Sequence, residues 1–323
     1  MKYQNLLKSA VLVTAMSATA SFAHAGMALT TAGSTAGFGL STFSDTYPNS
    51  STIGPLGIAF RADGKVMVSD FPGNVRVLND VDGQDASSVT PASNYGTAGA
   101  VGLTNLGGTI YMASQSSASV YSMAFDGSSR SFLAGVATAT GITNDGTDLF
   151  VSGSFAGTGF IDKVTTAGVV TTFQTGGFDG LSVDVGAGII YASASSIGHV
   201  LGFRISDGAQ VFDSGAISGG IDGVAIGQGT LAGNLFVNTN GGTLVEVDMT
   251  SLAQTVVADG GSRGDFVTVD PNGTLLLTQT DSVLRLTAPE GASFGSDAPE
   301  PGTIATMLAG LGALALARRR NRA

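Results

Sequence analysis

The chain has no cysteine, no tryptophan, only two histidines and few charged residues, 12% of 323. Without thiols it has no disulfide framework, thiolate zinc site, iron–sulfur cluster or cysteine nucleophile. With only His24 and His199, imidazole-based metal sites are all but excluded, and a Ser-His-Asp triad could rest only on His199. Basic residues are scarce too. Residues 26–298 hold 8 Lys and Arg against 23 Asp and Glu, a net charge of −15. A surface this acidic repels nucleic acid and anionic lipid. Of those 23 acids only Glu246 and Glu290 are Glu; Asp beside Gly is turn chemistry, so the carboxylates belong mostly to loops. What is abundant is glycine, 48 residues, about twice the usual ~7%. It lacks the every-third-residue spacing of collagen, so it serves turns and close packing.

The two ends read as addresses. Lys2 and Lys8, the apolar stretch Ala10–Met16 and the small-x-small triplet Ala23-His24-Ala25 form a secretory signal peptide over 1–25, cut by signal peptidase after Ala25. Cleavage would remove His24. The other end runs Pro299-Glu300-Pro301, an apolar segment over 302–317, and Arg318-Arg319-Arg320-Asn321-Arg322-Ala323. Sixteen apolar residues are short against the ~20 of a comfortable membrane helix, a gap that flanking side chains and local thinning can close. The arginines would stay cytoplasmic by the positive-inside rule, leaving the body outside. A plain C-terminal anchor would share the last two parts. All three in order, opposite a signal peptide, resemble the PEP-CTERM protein-sorting signal. That resemblance implies an exosortase as partner, cleavage near the motif, transient anchoring in the inner membrane of a Gram-negative cell that makes extracellular polysaccharide, and transfer to the cell surface or the medium.

Between the ends the sequence repeats. Six segments start at Gly57, Gly102, Gly141, Gly180, Gly223 and Asp265, with spacings of 45, 39, 39, 43 and 42 residues. Each has a short strand, a Gly or Asp-Gly turn, and a second strand such as Ile110–Ala113 or Leu149–Ser152. Third strands follow at Asn74–Leu78, Ser119–Met123 and Ser282–Leu286, and fourth strands at Ser131–Leu133, Val169–Phe173 and Gln254–Val257. Short strands rich in Val, Ile, Thr and Phe between Gly and Asp turns make a β-meander. Four strands in about 40 residues, six times over, predict an all-β, six-bladed β-propeller of four-stranded blades, in preference to a sandwich or a solenoid. The last repeat shows three strands. Phe38–Phe43 is suited to supply its fourth, closing the ring and removing exposed edges. The predicted organisation is thus signal peptide 1–25, propeller 26–290, linker 291–298 and sorting segment 299–323 with a single membrane helix.

The blade starts Phe178–Asp184, Ile221–Ala225 and Asp265–Asp270 resemble NHL-type and senescence-marker-protein/gluconolactonase-like propellers. Asp179, Asp222 and Asp265 share one phase in three consecutive blades and should meet at a mouth of the channel. Converging carboxylates repel unless they share protons or bind a cation, and oxygen donors suit Ca²⁺; alternatively each Asp caps its own glycine turn. The lactonase resemblance implies a Glu, an Asn and an Asp on a metal. Asp179 or Asp222 matches the Asp, but no Glu precedes Glu246, so the early Glu is missing. Asn105 and Asn144 close first strands, where turn roles compete with ligation. His199 reads as a turn or surface residue. Arg263-Gly264-Asp265 spells an adhesion tripeptide of a kind that arises by chance. The glycine pairs 107–108, 176–177 and 241–242 lack the strand–loop–helix context of a phosphate cradle, and the missing Trp disfavours the tryptophan-docked blades of quinoprotein dehydrogenases. Two functions remain. The first is an exported surface or matrix-associated propeller that binds extracellular polysaccharide or a surface protein without catalysis. The second is an exported metal-dependent hydrolase or lyase using channel carboxylates. Fold alone does not choose between them.

Overall fold

The computed structural model describes residues 26–155 and 158–294. The stretches expected to be signal peptide (1–25) and sorting segment (299–323) lie outside the described residues, and no described helix is long and apolar enough to cross a membrane.

Six sheets carry the fold, antiparallel throughout their four-stranded blades. Blade 1 is Pro55–Phe60, Lys65–Asp70, Asn74–Asn79 and the two-residue Ser93–Asn94. Blade 2 is Leu103–Leu106, Thr109–Ser114, Ser119–Met123 and Arg130–Gly135. Blade 3 is Ala139–Asn144, Leu149–Phe155, Thr158–Val164 and Val170–Thr175. Blade 4 is Leu181–Asp184, Ile189–Ala194, His199–Arg204 and Gln210–Asp213. Blade 5 is Ile221–Gly229, Asn234–Thr239, Leu244–Asp248 and Gln254–Asp259. Blade 6 is Val267–Val269, Leu275–Thr278 and Val283–Thr287, completed by Gly39–Asp45 from the other end of the body. The predicted closure is therefore the observed one, with Gly39 opposite Thr287 and Leu40 opposite Leu286.

The strand sequences follow from position in the blade. Second strands such as Thr109–Ser114 and Asn234–Thr239 are buried at every position after the first. They lie between neighbouring blades, so both faces are apolar and the run is continuous. Outer strands such as Val170–Thr175 and Arg130–Gly135 are largely exposed and mix Thr, Gln and Ser with apolar residues. In every blade the turn between first and second strands holds a glycine at positive φ, from Gly64 (76°) to Gly273 (86°), a conformation costly for a residue with Cβ.

Three short strands go beyond the four-per-blade plan. Ala28–Leu29 adds to the outer edge of blade 5, and Gln84–Asp85 runs parallel to Ser44–Asp45 at the edge of blade 6. Ala292–Phe294, in the segment expected to be linker, pairs with Gly227–Gly229 of blade 5. The ordered body thus runs past the expected boundary at 290. The cause is aromatic: Phe294 is fully buried against Phe236, centroids 4.8 Å apart, and Phe38 at 6.3 Å. Arg285 ties blade 6 to the segment after the third strand of blade 1 through Asp80 and Asp82 (2.8 Å), and pairs within blade 6 with Asp270 (2.6 Å).

Candidate functional site: the acidic mouth of the channel

The first strands line the channel, and five blades place a glycine there: Gly57, Gly102, Gly141, Gly180 and Gly223. Each lies against a backbone carbonyl of the next blade, that of the residue preceding the ring position: Val101, Thr140, Asp179, Asp222 and Asp265 in turn. A Cβ on Gly141 would sit 2.3 Å from the carbonyl O of Asp179, and one on Gly180 would sit 2.2 Å from that of Asp222. Blade 6 breaks the series with Phe266, buried with Leu56 and Val101. The ring before the glycines is therefore two-sided: Leu56 and Val101 on one arc, Asp179, Asp222 and Asp265 on the other, with Thr140 between. The remaining cavity holds about 30 Å³, room for two or three waters at ~10–15 Å³ each.

A second ring supports the first. The second strands carry Ser69, Ser114, Ser152, Ser193, Asn238 and Thr278 at equivalent positions, all fully buried. Ser69 Oγ accepts from the Gly57 N–H (3.1 Å) and donates to the Val101 carbonyl (2.9 Å). Ser152 Oγ accepts from the Gly141 N–H (2.9 Å) and donates to the Asp179 carbonyl (2.5 Å). These staples fix the backbone on which the carboxylates stand. The sequence reading passed over them, although each follows the second strand's apolar run: VS, AS, VS, AS, VN, LT.

Asp179, Asp222 and Asp265 converge as the shared phase implied. Asp222 and Asp265 are buried, and Asp179 is half-buried with its Oδ1 shut off from solvent. One oxygen of each has no hydrogen-bond partner: Asp179 Oδ1, Asp222 Oδ1 and Asp265 Oδ2. The turn-capping alternative is met elsewhere, at Asp126, Asp145, Asp207 and Asp248. Burial, with the negative charge of Asp265, raises Asp179 to about 6. Burial and both neighbouring acids hold Asp222 well above the usual carboxylate range. Asp265 is raised by burial against the opposing pull of Arg263. Arg263, from the tripeptide discounted in the sequence, supplies the positive charge. Its Nε and Nη2 donate to Asp265 Oδ1 at 2.9 and 2.6 Å, and Nη2 lies 3.8 Å from Asp222 Oδ2. Arg263 and Asp265 are two apart on the segment that leads into the first strand of blade 6.

The three orphaned oxygens are the donor type a hard cation takes, but the guanidinium already lies against two of the carboxylates. With Arg263 in place the residues do not fit a calcium ion as well, and among the described residues no cluster of three or more acids and histidines has metal-binding geometry.

The other singled-out residues are elsewhere. Asn105 Oδ1 accepts from Gly108 N–H (2.9 Å) while its Nδ2 donates to the Phe60 carbonyl of blade 1 (2.6 Å). Asn144 caps Gly146 and donates to blade 2. Both combine a turn with an inter-blade staple. His199 opens the third strand of blade 4, its Nδ1 2.7 Å from Asp213 Oδ1, with no serine hydroxyl bonded to it among the described residues.

Comparison with known proteins separates address from body. The PEP-CTERM protein-sorting motif matches residues 297–322. No curated protein matches the sequence. The body is similar in fold to a gluconolactonase from Xanthomonas campestris (15% identity, TM-score 0.61, covering 82% of this chain and 95% of that one). It is also similar to a chain of a nidogen/laminin complex (13%, 0.59, 71% and 97%) and to a streptogramin B lyase (13%, 0.54, 77% and 97%). At these identities the likeness is one of fold. The chain is a six-bladed propeller with a PEP-CTERM motif, the address of an exosortase substrate.

Proposed function

We propose that the protein is an exported propeller, delivered to the cell surface or its surroundings by exosortase processing, which acts there as a rigid binding module for extracellular polysaccharide or a surface protein. The observation that carries the non-catalytic reading is the filled channel. The glycine ring leaves about 30 Å³, far below the ~300 Å³ of a small-molecule pocket, and Arg263 lies on the carboxylates. A binding role draws support from the rim. Arg130 of blade 2 lies 4.2 and 4.0 Å from the ring centroids of Tyr95, just after the last strand of blade 1, and Tyr121 of blade 2, and Phe132 beside Tyr121 is 66% exposed. Planar aromatics with an adjacent guanidinium suit sugar rings and protein hot spots alike.

The second reading, a metal-dependent hydrolase or lyase, draws on the orphaned oxygens of Asp179, Asp222 and Asp265. One measurement separates the two: native and denatured intact mass of the body with calcium analysis, followed by a lactone and ester screen. The binding module is expected to be calcium-free and inactive, and Arg263→Ala to gain calcium. A stoichiometric ion on the wild-type protein, lost on denaturation and needed for turnover, would reverse the assignment.

A further inference from the structure

We infer that the outer hairpin of blade 2 is a docking site for a carboxylate-bearing polysaccharide, with Arg130 on the sugar carboxylate and Phe132 under the sugar ring. This deepens, and rests on, the reading of the body as a binding module. The hairpin is made of Ser119–Met123 and Arg130–Gly135. Arg130 and Phe132 are two apart on one strand and share a face, and Tyr121 stands opposite Phe132 across the pair. That face looks toward blade 1, whose fourth strand spans only Ser93–Asn94. Among the described residues, the large hydrophobic side chains that are exposed include just two aromatics, Phe125 and Phe132, and this hairpin holds both. Phe125 sits in its turn with Arg61 4.0 Å from the ring centroid.

Charge singles out Arg130. Of the 8 Lys and Arg in residues 26–298, six are ion-paired to aspartates. Among the described residues only Lys65 and Arg130 have no such partner, and Lys65 has no aromatic ring beside it. Arg130 instead lies against Tyr95 and Tyr121 and gives one N–H to the Gly99 carbonyl (2.7 Å). A guanidinium carries further donors in a planar fork that matches a carboxylate. No Arg130 nitrogen is among the buried atoms left without a partner, so its free donors open to solvent. A cation held clear of its own chain's acids is available to a carboxylate from outside. The body's negative charge is screened beyond ~8 Å at physiological salt, whereas a forked pair acts at contact. The rings define the rest of the ligand. The C–H face of a pyranose packs on the negative face of an aromatic ring, while the sugar's hydroxyls stay in water. Each exposed ring has on the order of 100 Å² free, since a whole aromatic side chain buries ~150–250 Å². That suits a few sugar units and falls well short of the ~800 Å² per side of a stable protein interface.

The test titrates the full chain, in a neutral detergent, with short galacturonate oligomers and with the same oligomers methyl-esterified, which lack only the carboxylate charge. Isothermal titration is expected to show binding to the acid about tenfold tighter than to the ester. Arg130→Gln should erase that preference. Phe132→Ala should weaken the acid by about tenfold; its side chain is 66% exposed, so this variant carries the test where Arg130→Gln fails to fold. Val211→Ala, exposed on blade 4, should leave both affinities unchanged. Equal affinity for acid and ester overturns the acidic class and leaves the sugar-binding reading standing. Poly-glutamate bound as tightly as the acid oligomer overturns the saccharide in favour of an acidic protein segment. Full affinity in Phe132→Ala overturns the location. No binding to the acid, the ester or neutral dextran takes the sugar-binding reading down with the inference, so the two failures are distinguishable.

Discussion

Asp179 links burial to pH. Its carboxyl titrates near 6 in the folded protein, against ~3.9 in an unfolded chain. The folded state holds the proton more tightly, so this contribution to stability is complete below pH ~4 and is lost as pH rises through ~6. Asp222 and Asp265 shift in the same direction. The exposed turn aspartates Asp126, Asp207 and Asp248 shift the other way, so the informative quantity is a difference between variants. Asp179→Asn, which keeps the shape and removes the charge, is expected to be more stable than wild type at pH 7 by about 1–3 kcal/mol, and near-neutral at pH 4. Urea melts at both values measure it. An equal difference at the two would mean that Asp179 acts through packing alone. The convergence of the three acids was legible because they recur at one phase of the repeat. Arg263 was not, because its partner is fixed by geometry and the tripeptide spells something else.

Among the elements, the first strands depend on having no side chain where they touch. Each ring glycine lets a strand approach the next blade's backbone, and behind Gly57 and Gly141 a serine holds both. Gly141→Ala would place a methyl 2.3 Å from one carbonyl and 2.6 Å from Ser152 Oγ, with backbone on one side unable to yield. The expected loss is about 1–3 kcal/mol, read as a lower urea midpoint with the m-value unchanged. Ala at Gly146, a turn glycine with open space around it but φ of +87°, should cost about 1–2 kcal/mol through backbone strain alone. The blades were readable because an apolar run bounded by glycine recurs every 39 to 45 residues. Ala28–Leu29, Gln84–Asp85 and Ala292–Phe294 were not. Strands of two or three residues carry no periodicity, and their partners are remote in sequence.

For the whole molecule, the decisive contacts join its ends. Phe38, Phe236 and Phe294 bring the N-terminal segment, blade 5 and the C-terminal strand into one cluster. Phe294→Ala is expected to cost about 3–5 kcal/mol and to open the segment after Pro289 to protease while the ring stays closed through Gly39–Asp45. Limited proteolysis with intact mass would show one early cut there, and cuts scattered through the blades would contradict it. The pairing of Gly39 with Thr287 also has a consequence in time. Contacts so far apart in sequence form late, and this one cannot form until nearly the whole body is available. If the chain is exported unfolded, N-terminus first, blade 6 stays an open sheet with an unpaired edge until Thr287 emerges, only fifteen residues before Gly302. Completion of the ring and arrival of the tail at the membrane then fall together, so the sorting enzyme would receive a substrate that has only just finished folding.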